Sequence, residues 1–148
     1  MRNCFFIILS LFIIACNKPK KVIEETYPDN SPKVEKFYIE KESSKELIKE
    51  IRYYPNNKIQ MEGKYKNNKR NGDWIYYFEN GNIWCEGSFL DGVDHGQRIV
   101  YYENGQKRYS GSYIKGKQTG VWKFWDEAGD VQKEIDFNQA DSVSTDNL

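Results

Sequence analysis

The chain is poor in the residue types from which catalytic and metal centres are usually built. Its 148 residues include one histidine and three cysteines. A single histidine leaves little material for a histidine-based metal site or a proton relay. Basic and acidic residues number 22 each, and the resulting net charge of zero argues against a protein that coats nucleic acid. We therefore expect no metal, no cofactor and no nucleic-acid partner.

The hydrophobic run near the N terminus is too short to span a membrane. Residues 5–15 contain Ser10 as their single polar side chain, whereas a membrane helix needs about 20 apolar residues. The run ends in Ile-Ile-Ala-Cys, which resembles the lipobox of bacterial lipoproteins. The resemblance implies that residues 1–15 are a lipoprotein signal peptide and that Cys16 is the lipidated N terminus, carrying acyl chains such as palmitate.

The same resemblance leads to an expected location. Asn17, not aspartate, follows the cysteine, which in a bacterium with two membranes favours the outer membrane. We expect a membrane-anchored lipoprotein that faces the periplasm, because two or three acyl chains make a stable anchor. Residues 16–31 are then the lipidated cysteine and a flexible spacer, and residues 138–148 have the composition of a disordered tail.

A repeat with a period of 24 residues covers most of the remaining chain. The segment Tyr-Tyr-Phe-Glu-Asn-Gly at 76–81 returns as Val-Tyr-Tyr-Glu-Asn-Gly at 100–105 and as Phe-Trp-Asp-Glu-Ala-Gly at 124–129. All eleven glycines fall in repeat slots. One period earlier, Asn57 occupies the glycine slot, and asparagine tolerates a left-handed backbone almost as glycine does.

Each repeat has the pattern of a β-hairpin. Residues 74–78 form an aromatic strand, and Asn80-Gly81 predicts a type I′ turn, whose two central residues both need positive φ. Residues 83–89 return as a strand whose strict alternation places Trp84 on the polar face. The equivalent turn residues in the later repeats are Asn104, Gly105 and Gly129.

Hairpins joined by short loops, such as residues 91–96, predict an all-β antiparallel meander in a single-layer twisted sheet. We expect this repeat domain over residues 32–137. If the hairpin turn has two residues, Trp74 lies across from Gly87 and its indole covers the gap left by the missing side chain. A bulge at the turn would reverse this face assignment.

The consensus Gly-x-Trp-x-x-Tyr-x-x-x-Asn-Gly, followed by Glu-Gly-x-Tyr/Phe-x-x-Gly, resembles the bacterial variant of the MORN repeat. It is found at residues 72–92, 96–116 and 120–137, and the resemblance extends over roughly residues 27–137. It implies a single-layer sheet of stacked hairpins. Members of that family include many bacterial lipoproteins, and one large branch is labelled as the antitoxin component of toxin–antitoxin systems. The chain departs from the pattern at Asn57, Arg98, Ala128 and Ile135.

No catalytic constellation can be assembled from the residues present. Cys85 is the only thiol besides Cys16 after signal cleavage, and His95 is the only imidazole. Their repeat equivalents are unrelated residue types, so we interpret them as an inert thiol and a solvated loop histidine. Residues 111–118 fit part of a phosphate-loop pattern, but their glycines are ordinary repeat slots. We predict a binding protein, not an enzyme.

The aromatic side chains are the best candidates for a binding site. Trp84 occupies a slot where the other repeats have glutamine or arginine, and a one-layer sheet exposes part of its aromatic face unless something covers it. The alternative is that the rings only pack on each other to hold the sheet together. The candidate contact residues are Trp74, Tyr76, Trp84, Tyr101, Trp122 and Trp125.

Three functions stay open at this point. The first is a protein-interaction or scaffold module in the cell envelope, which is the function we predict, with the membrane and a protein as partners. The second is an antitoxin that binds a cognate protein. The third is a module that binds a glycan or a lipid head group on the aromatic face.

Overall fold

The computed structural model describes residues 18–41 and 43–140, which fold into ten strands and one short helix. The strands are β1 (Lys20–Thr26), β2 (Pro32–Lys41), β3 (Ser44–Tyr53), β4 (Ile59–Lys66), β5 (Lys69–Tyr77), β6 (Ile83–Leu90), β7 (Val93–Tyr101), β8 (Lys107–Ile114), β9 (Lys117–Trp125) and β10 (Val131–Asp136), and the helix is α1 (Phe137–Ala140). All ten strands lie in one antiparallel sheet in sequence order, with β1 and β10 at its edges. The predicted antiparallel meander is confirmed.

Both predicted ends of the chain fall largely outside this range. The signal peptide of residues 1–15, the lipidation site Cys16 and the tail from residue 141 onward are not among the described residues. The helix α1 includes Asn138, which was expected to begin the tail. Within the described part of the chain, no helix is long and apolar enough to cross a membrane.

The N-terminal boundary of the sheet lies earlier than predicted. Residues 20–26 were assigned to the flexible spacer of residues 16–31, but they form β1 and pair with β2. This strand is mostly charged, so it lacks the hydrophobic alternation that identifies strands in a sequence. Ion pairs hold it in place, among them Lys21 to Glu35 at 2.9 Å. Charged side chains are common on edge strands because they discourage pairing with other chains.

The Asn-Gly turns have a geometry other than the predicted type I′. The Gly81 N–H donates to the Phe78 carbonyl at 2.9 Å, and the Phe78 N–H donates to the Asn82 carbonyl at 2.8 Å. Gly81 has a φ of +99°, whereas Asn80 is not in the positive-φ region. This is a three-residue loop with a left-handed last residue. The Asn80 side chain favours it, since its Oδ1 accepts the Asn82 N–H at 2.8 Å.

The type I′ geometry occurs instead at the opposite end of the hairpins. Asp91 and Gly92 have φ values of +51° and +90°, and β7 begins directly afterwards at Val93. The connection predicted over residues 91–96 is therefore a two-residue turn, and most of it belongs to a strand. The same pair of positive φ values occurs at Asn67-Asn68 and at Lys115-Gly116.

Cross-strand pairing divides the side chains between two faces, because directly paired residues point to the same side of a sheet. Trp74 pairs with Gly87, as predicted. We call the side that carries Trp74, Arg98 and Trp122 the aromatic face. The opposite face carries the cross-strand row of Glu62, Ile75, Glu86 and Ile99.

The indole of Trp74 covers a different glycine from the one predicted. A Cβ added to Gly63 would lie 2.1 Å from the Trp74 ring, so the indole rests directly on the backbone of the preceding strand. At Gly87 the nearest side-chain atom belongs to an arginine, not to Trp74. The other members of the row lean the same way, with Arg98 over Gly87 and Trp122 over Gly111.

The core of the sheet lies on the aromatic face. Trp74 is fully buried and its ring contacts those of Tyr65 and Phe89 edge-to-face, with centroids 5.4 and 5.9 Å apart. Such edge-to-face contacts add to the stabilisation that burial of a large ring provides. The buried apolar side chains of this face are Val34, Met61, Trp74, Cys85, Val100 and Trp122.

Candidate binding groove on the aromatic face

Two of the six candidate aromatic residues offer no surface to a partner. Trp74 is 0% exposed and Trp122 is 2% exposed. Each is enclosed by neighbouring rings and by the glycine beneath it. Their role is structural, which is the alternative that the sequence left open.

Two further candidates lie on the opposite face. The Tyr101 hydroxyl donates to Glu86 Oε2 at 2.9 Å, and burial together with this hydrogen bond raises the pKa of Tyr101 to about 12. Trp125 lines the same shallow hollow as Tyr101. These rings cannot share a site with Trp84 because the sheet separates them. The tyrosine–glutamate bond recurs one and two repeats earlier, from Tyr77 to Glu62 and from Tyr53 to Glu35.

Trp84 lies on the aromatic face, not on the polar face that strict alternation predicts. Tyr76 pairs with Cys85 and Tyr77 pairs with Ile83, which leaves Trp84 as the unpaired extra residue of a bulge. A bulge rotates one side chain out of the alternating pattern. The Trp84 ring meets the Tyr76 ring edge-to-face at 6.0 Å and remains 45% exposed.

Tyr76 and Trp84 line an open groove of about 410 Å³ together with Arg52, Met61 and Arg70. The buried Met61 and the half-buried Tyr76 pair across β4 and β5, so they form its apolar floor. The remaining lining residues are Tyr54, Gln60 and Tyr77. The groove therefore combines exposed aromatic surface, a flexible methionine and two guanidinium groups.

Fixed partners hold both arginines of the groove. Arg52 Nε donates to Glu50 Oε1 at 2.7 Å, and this hydrogen bond raises the pKa of Arg52. Glu50 is buried and also accepts the Tyr65 hydroxyl at 3.0 Å. Arg70 lies 4.2 Å above the Trp74 ring and donates to the Tyr76 hydroxyl at 3.1 Å. Because these contacts pre-position the guanidinium groups, a ligand carboxylate would meet ordered donors.

The sequence predictions missed Arg52, Met61 and Arg70 as site residues. A signal for Arg52 is present in the repeat alignment, where its slot is otherwise filled by Tyr76, Val100 and Phe124. A second signal is Glu50, which occupies the slot of Trp74, Arg98 and Trp122. A charged residue in a slot that most other repeats fill with an apolar or aromatic side chain marks a place where one repeat differs from its neighbours.

The thiol and the imidazole do not form a reactive pair in the described structure. Cys85 is buried between neighbouring strands, and burial raises the pKa of its thiol, which disfavours the reactive thiolate. His95 lies within β7 and not in a loop, and its Nδ1 is buried. Among the described residues, no group of three or more His, Cys, Asp or Glu could hold a metal ion.

The fold and the groove define a repeat protein built as an open sheet of hairpins with an exposed groove on its aromatic face. The chain belongs to the family described as MORN repeat variant, which matches residues 48–67, 70–91, 94–115 and 118–139. Most of β1 to β3 lies before the first of these matches. No curated protein matches the chain. MORN repeats suggest a module that interacts with proteins or membranes, and this fold is a binding or scaffold type.

Proposed function

We propose that this chain is a lipoprotein of the cell envelope whose repeat sheet binds a protein partner in the groove around Trp84. The observation that carries the proposal is the 45% exposure of the Trp84 side chain beside two ordered arginines. Tryptophan, tyrosine and arginine supply most of the strongest contacts in protein interfaces. The other repeats have Gln60, Arg108 and Gln132 at this bulge position, so the repeat fold does not require an indole there.

The composition of the groove favours a peptide segment as its occupant. Met61 adapts its shape to an apolar side chain, and the Trp84 and Tyr76 rings offer surface at little cost in side-chain entropy. Arg52 and Arg70 provide donors for a carboxylate. Binding, not catalysis, is the proposed activity, because the Cys85 thiol is buried and burial raises its pKa, which disfavours the nucleophilic thiolate.

A photo-crosslinking amino acid at position 84 tests the proposal in intact cells. A benzophenone side chain there should give one dominant adduct, because the side chain replaces an exposed ring in the groove. The matched control is the same substitution at Val121, which is 48% exposed on the opposite face. Equal adducts from both positions, or no adduct from position 84 in folded protein, would contradict a protein-binding groove.

Membrane anchoring through Cys16 is a separate part of the proposal. The Ile-Ile-Ala-Cys sequence supports it, and the outer membrane facing the periplasm is the proposed location. Metabolic labelling with an alkyne analogue of palmitate should mark the wild-type chain and leave Cys16→Ala unlabelled. Labelling that persists in Cys16→Ala would contradict lipidation at this residue.

An antitoxin role is the special case in which the captured partner is a toxin. That role requires that deletion of the gene for this chain be toxic to the cell. Deletion of both genes, for this chain and for its partner, should then be tolerated. A partner whose loss and presence are equally tolerated would instead support the scaffold role.

A further inference from the structure

The two edges of the sheet at which its turns lie carry opposite charge. Between β4 and β9, the turns of the first edge, which we call the lysine edge, span residues 66–69, 90–93 and 114–117. They carry Lys66, Lys69, Lys115 and Lys117 against the single acid Asp91. The turns of the other edge, which span residues 27–31, 54–58, 78–82, 102–106 and 126–130, carry six acids against Lys58.

The four lysines of the lysine edge are exposed, and within the described part of the chain none of them forms an ion pair. Arg98 in β7 differs in this respect, since it is bound to Asp94. The lysines are therefore available to an anionic partner. At the opposite edge the acids Asp29, Glu79, Glu103, Asp126, Glu127 and Asp130 would repel the same partner.

Exposed apolar side chains lie between these lysines. Leu90 and Val93 pair across the Asp91-Gly92 turn and are 44% and 47% exposed, and Ile114, one repeat later, is 54% exposed. Backbone hydrogen bonds tie the turns to their neighbours. The Gly92 N–H donates to the Arg70 carbonyl at 2.9 Å, and the Gly116 N–H donates to the Asp94 carbonyl at 2.8 Å. On the lysine edge, the exposed aliphatic side chains of the 90–93 turn thus lie between the lysines of the turns on either side.

The chain also enters the sheet from the lysine edge. Lys20, the first residue of β1, pairs with Tyr38, close to the end of β2 at Lys41. The turn after β2 lies at the same end of the strands as the turns of the lysine edge. Cys16 precedes Lys20 by four residues, which can span at most about 14 Å. A lipid at Cys16 would therefore hold this edge close to the bilayer.

We propose that the lysine edge docks on the anionic lipid head groups of the membrane, with Leu90, Val93 and Ile114 inserted at the interface. Basic residues beside aliphatic ones are the combination that binds such a surface. Each lysine is attracted by the negative surface potential, and each methylene group buried at the interface adds to the favourable free energy of binding. The acidic edge then points away from the membrane. The proposal rests on the proposed Cys16 anchor for its orientation, but the edge is also expected to bind lipid without the anchor.

The rate at which lysines are acetylated in the full chain measures whether the membrane protects the lysine edge. The lipidated protein is placed in vesicles of phosphatidylcholine, either alone or mixed with phosphatidylglycerol, and is exposed briefly to acetic anhydride before mass spectrometry. Lys66, Lys69, Lys115 and Lys117 should react about fivefold more slowly on the anionic vesicles. Lys58 and Lys107, at the acidic edge and its margin, should react at the same rate on both and serve as internal controls.

Two variants separate insertion from charge. Leu90→Ser combined with Ile114→Ser should restore the faster acetylation, whereas Val131→Ser, which removes a similarly exposed side chain from β10, should not. Equal rates on the two kinds of vesicle, or equal slowing at Lys58, would overturn the proposal. Slowing that needs no anionic lipid and grows with protein concentration would overturn it in favour of contact between two copies of the chain.

Flotation of the full chain carrying Cys16→Ser tests the edge without the anchor. This variant should float with vesicles that contain phosphatidylglycerol and remain behind with phosphatidylcholine alone. Failure to float would overturn lipid binding by the edge, whatever the state of Cys16. Failure of the wild-type chain to acquire its lipid, with flotation of Cys16→Ser intact, would instead contradict only the proposed anchor.

Discussion

Packing of a tryptophan on a glycine of the neighbouring strand allows this sheet to form a core within one layer. The Trp74 indole lies flat on Gly63, and its N–H donates to the Lys64 carbonyl at 3.1 Å. A sheet without a covering layer has no other apolar surface on which to bury such a ring. Gly63 and Gly111 are therefore required by packing, since an indole lies on each of them and neither has a positive φ.

Substitution of Gly63 should destabilise the sheet far more than substitution of Gly87. In Gly63→Ala the new methyl group would lie 2.1 Å from the Trp74 ring, which cannot move without losing its enclosure. We expect a loss of about 2–3 kcal/mol in the free energy of unfolding, typical of an overpacked core. Gly87→Ala meets the flexible Arg98 side chain at 3.1 Å and should cost less than about 1 kcal/mol. Urea denaturation measures both values, and equal losses would show that the indole does not rest on Gly63.

Arg98 shows how one repeat tolerates the loss of its tryptophan. Its guanidinium lies 5.1 Å from the centre of the Tyr113 ring and forms an ion pair with Asp94. The charge is therefore paired and stacked, and the guanidinium itself lies over Gly87 in the place of the indole. This explains the departure from the repeat pattern at position 98 in physical terms.

A ladder of asparagines links the hairpin turns of neighbouring repeats. Asn104 Oδ1 accepts the Gln106 N–H within its own turn, and its Nδ2 donates to the Glu127 carbonyl of the next turn, both at 2.9 Å. Asn56 makes the same pair of bonds two repeats earlier. At the last turn the slot holds Ala128, and no further turn follows within the described residues to which an amide could donate. The departure at position 128 is therefore that of a terminal repeat.

Variants at position 104 should separate the two bonds of this ladder. Asn104→Asp keeps the acceptor within the turn and removes the donor, and we expect it to cost about 1 kcal/mol, the usual value of one hydrogen bond. Asn104→Ala removes both and should cost more. Ala128→Asn is the matched control and should change the unfolding free energy by less than about 0.5 kcal/mol. Thermal or urea unfolding distinguishes these outcomes, and an effect of Asn104→Asp no larger than that of the control would contradict an inter-turn bond.

The whole molecule is an open array in which each strand contacts its neighbours in sequence. The array ends on α1, where the Phe137 ring contacts Trp122 at 5.8 Å and Asn138 Oδ1 accepts the Gly120 N–H at 3.0 Å. In such arrays stability is approximately a sum over repeats and the interfaces between them. The end strands gain from one neighbour only, and capping contacts of this kind compensate for the missing one.

Deletion of one complete repeat should leave a folded, shorter sheet. Removing residues 94–117 keeps every later residue in its slot, so that Trp122 would replace Arg98 above Gly87. We expect cooperative unfolding with a smaller denaturant dependence, because less surface is exposed. Circular dichroism and tryptophan fluorescence during urea unfolding measure this.

A half-repeat deletion provides the control for that experiment. Removal of residues 94–105 would join β6 to β8, which run in the same direction in the sheet and cannot be connected by a tight turn. This variant should lose cooperative unfolding. If both deletions behaved alike, the one-dimensional description of the sheet would be wrong.

The sequence by itself determined the hairpins, their period and their order in one antiparallel sheet. These features depend on local preferences, such as those of Gly81 and Asn57 for a left-handed backbone, which recur at a fixed spacing. The tertiary structure alone decided which glycine Trp74 covers and which face Trp84 occupies. Both depend on side-chain lean and on a bulge, which arise from contacts with the neighbouring strand.

Only the tertiary structure also decided where the sheet begins and which residues form the groove. The charged strand β1 is held by Lys21–Glu35 and by the Tyr27 hydroxyl, which donates to the Tyr53 carbonyl at 2.8 Å. Such partners lie 14 to 26 residues apart in the chain. Local sequence preferences do not predict these contacts, because the partners meet only once the strands lie side by side.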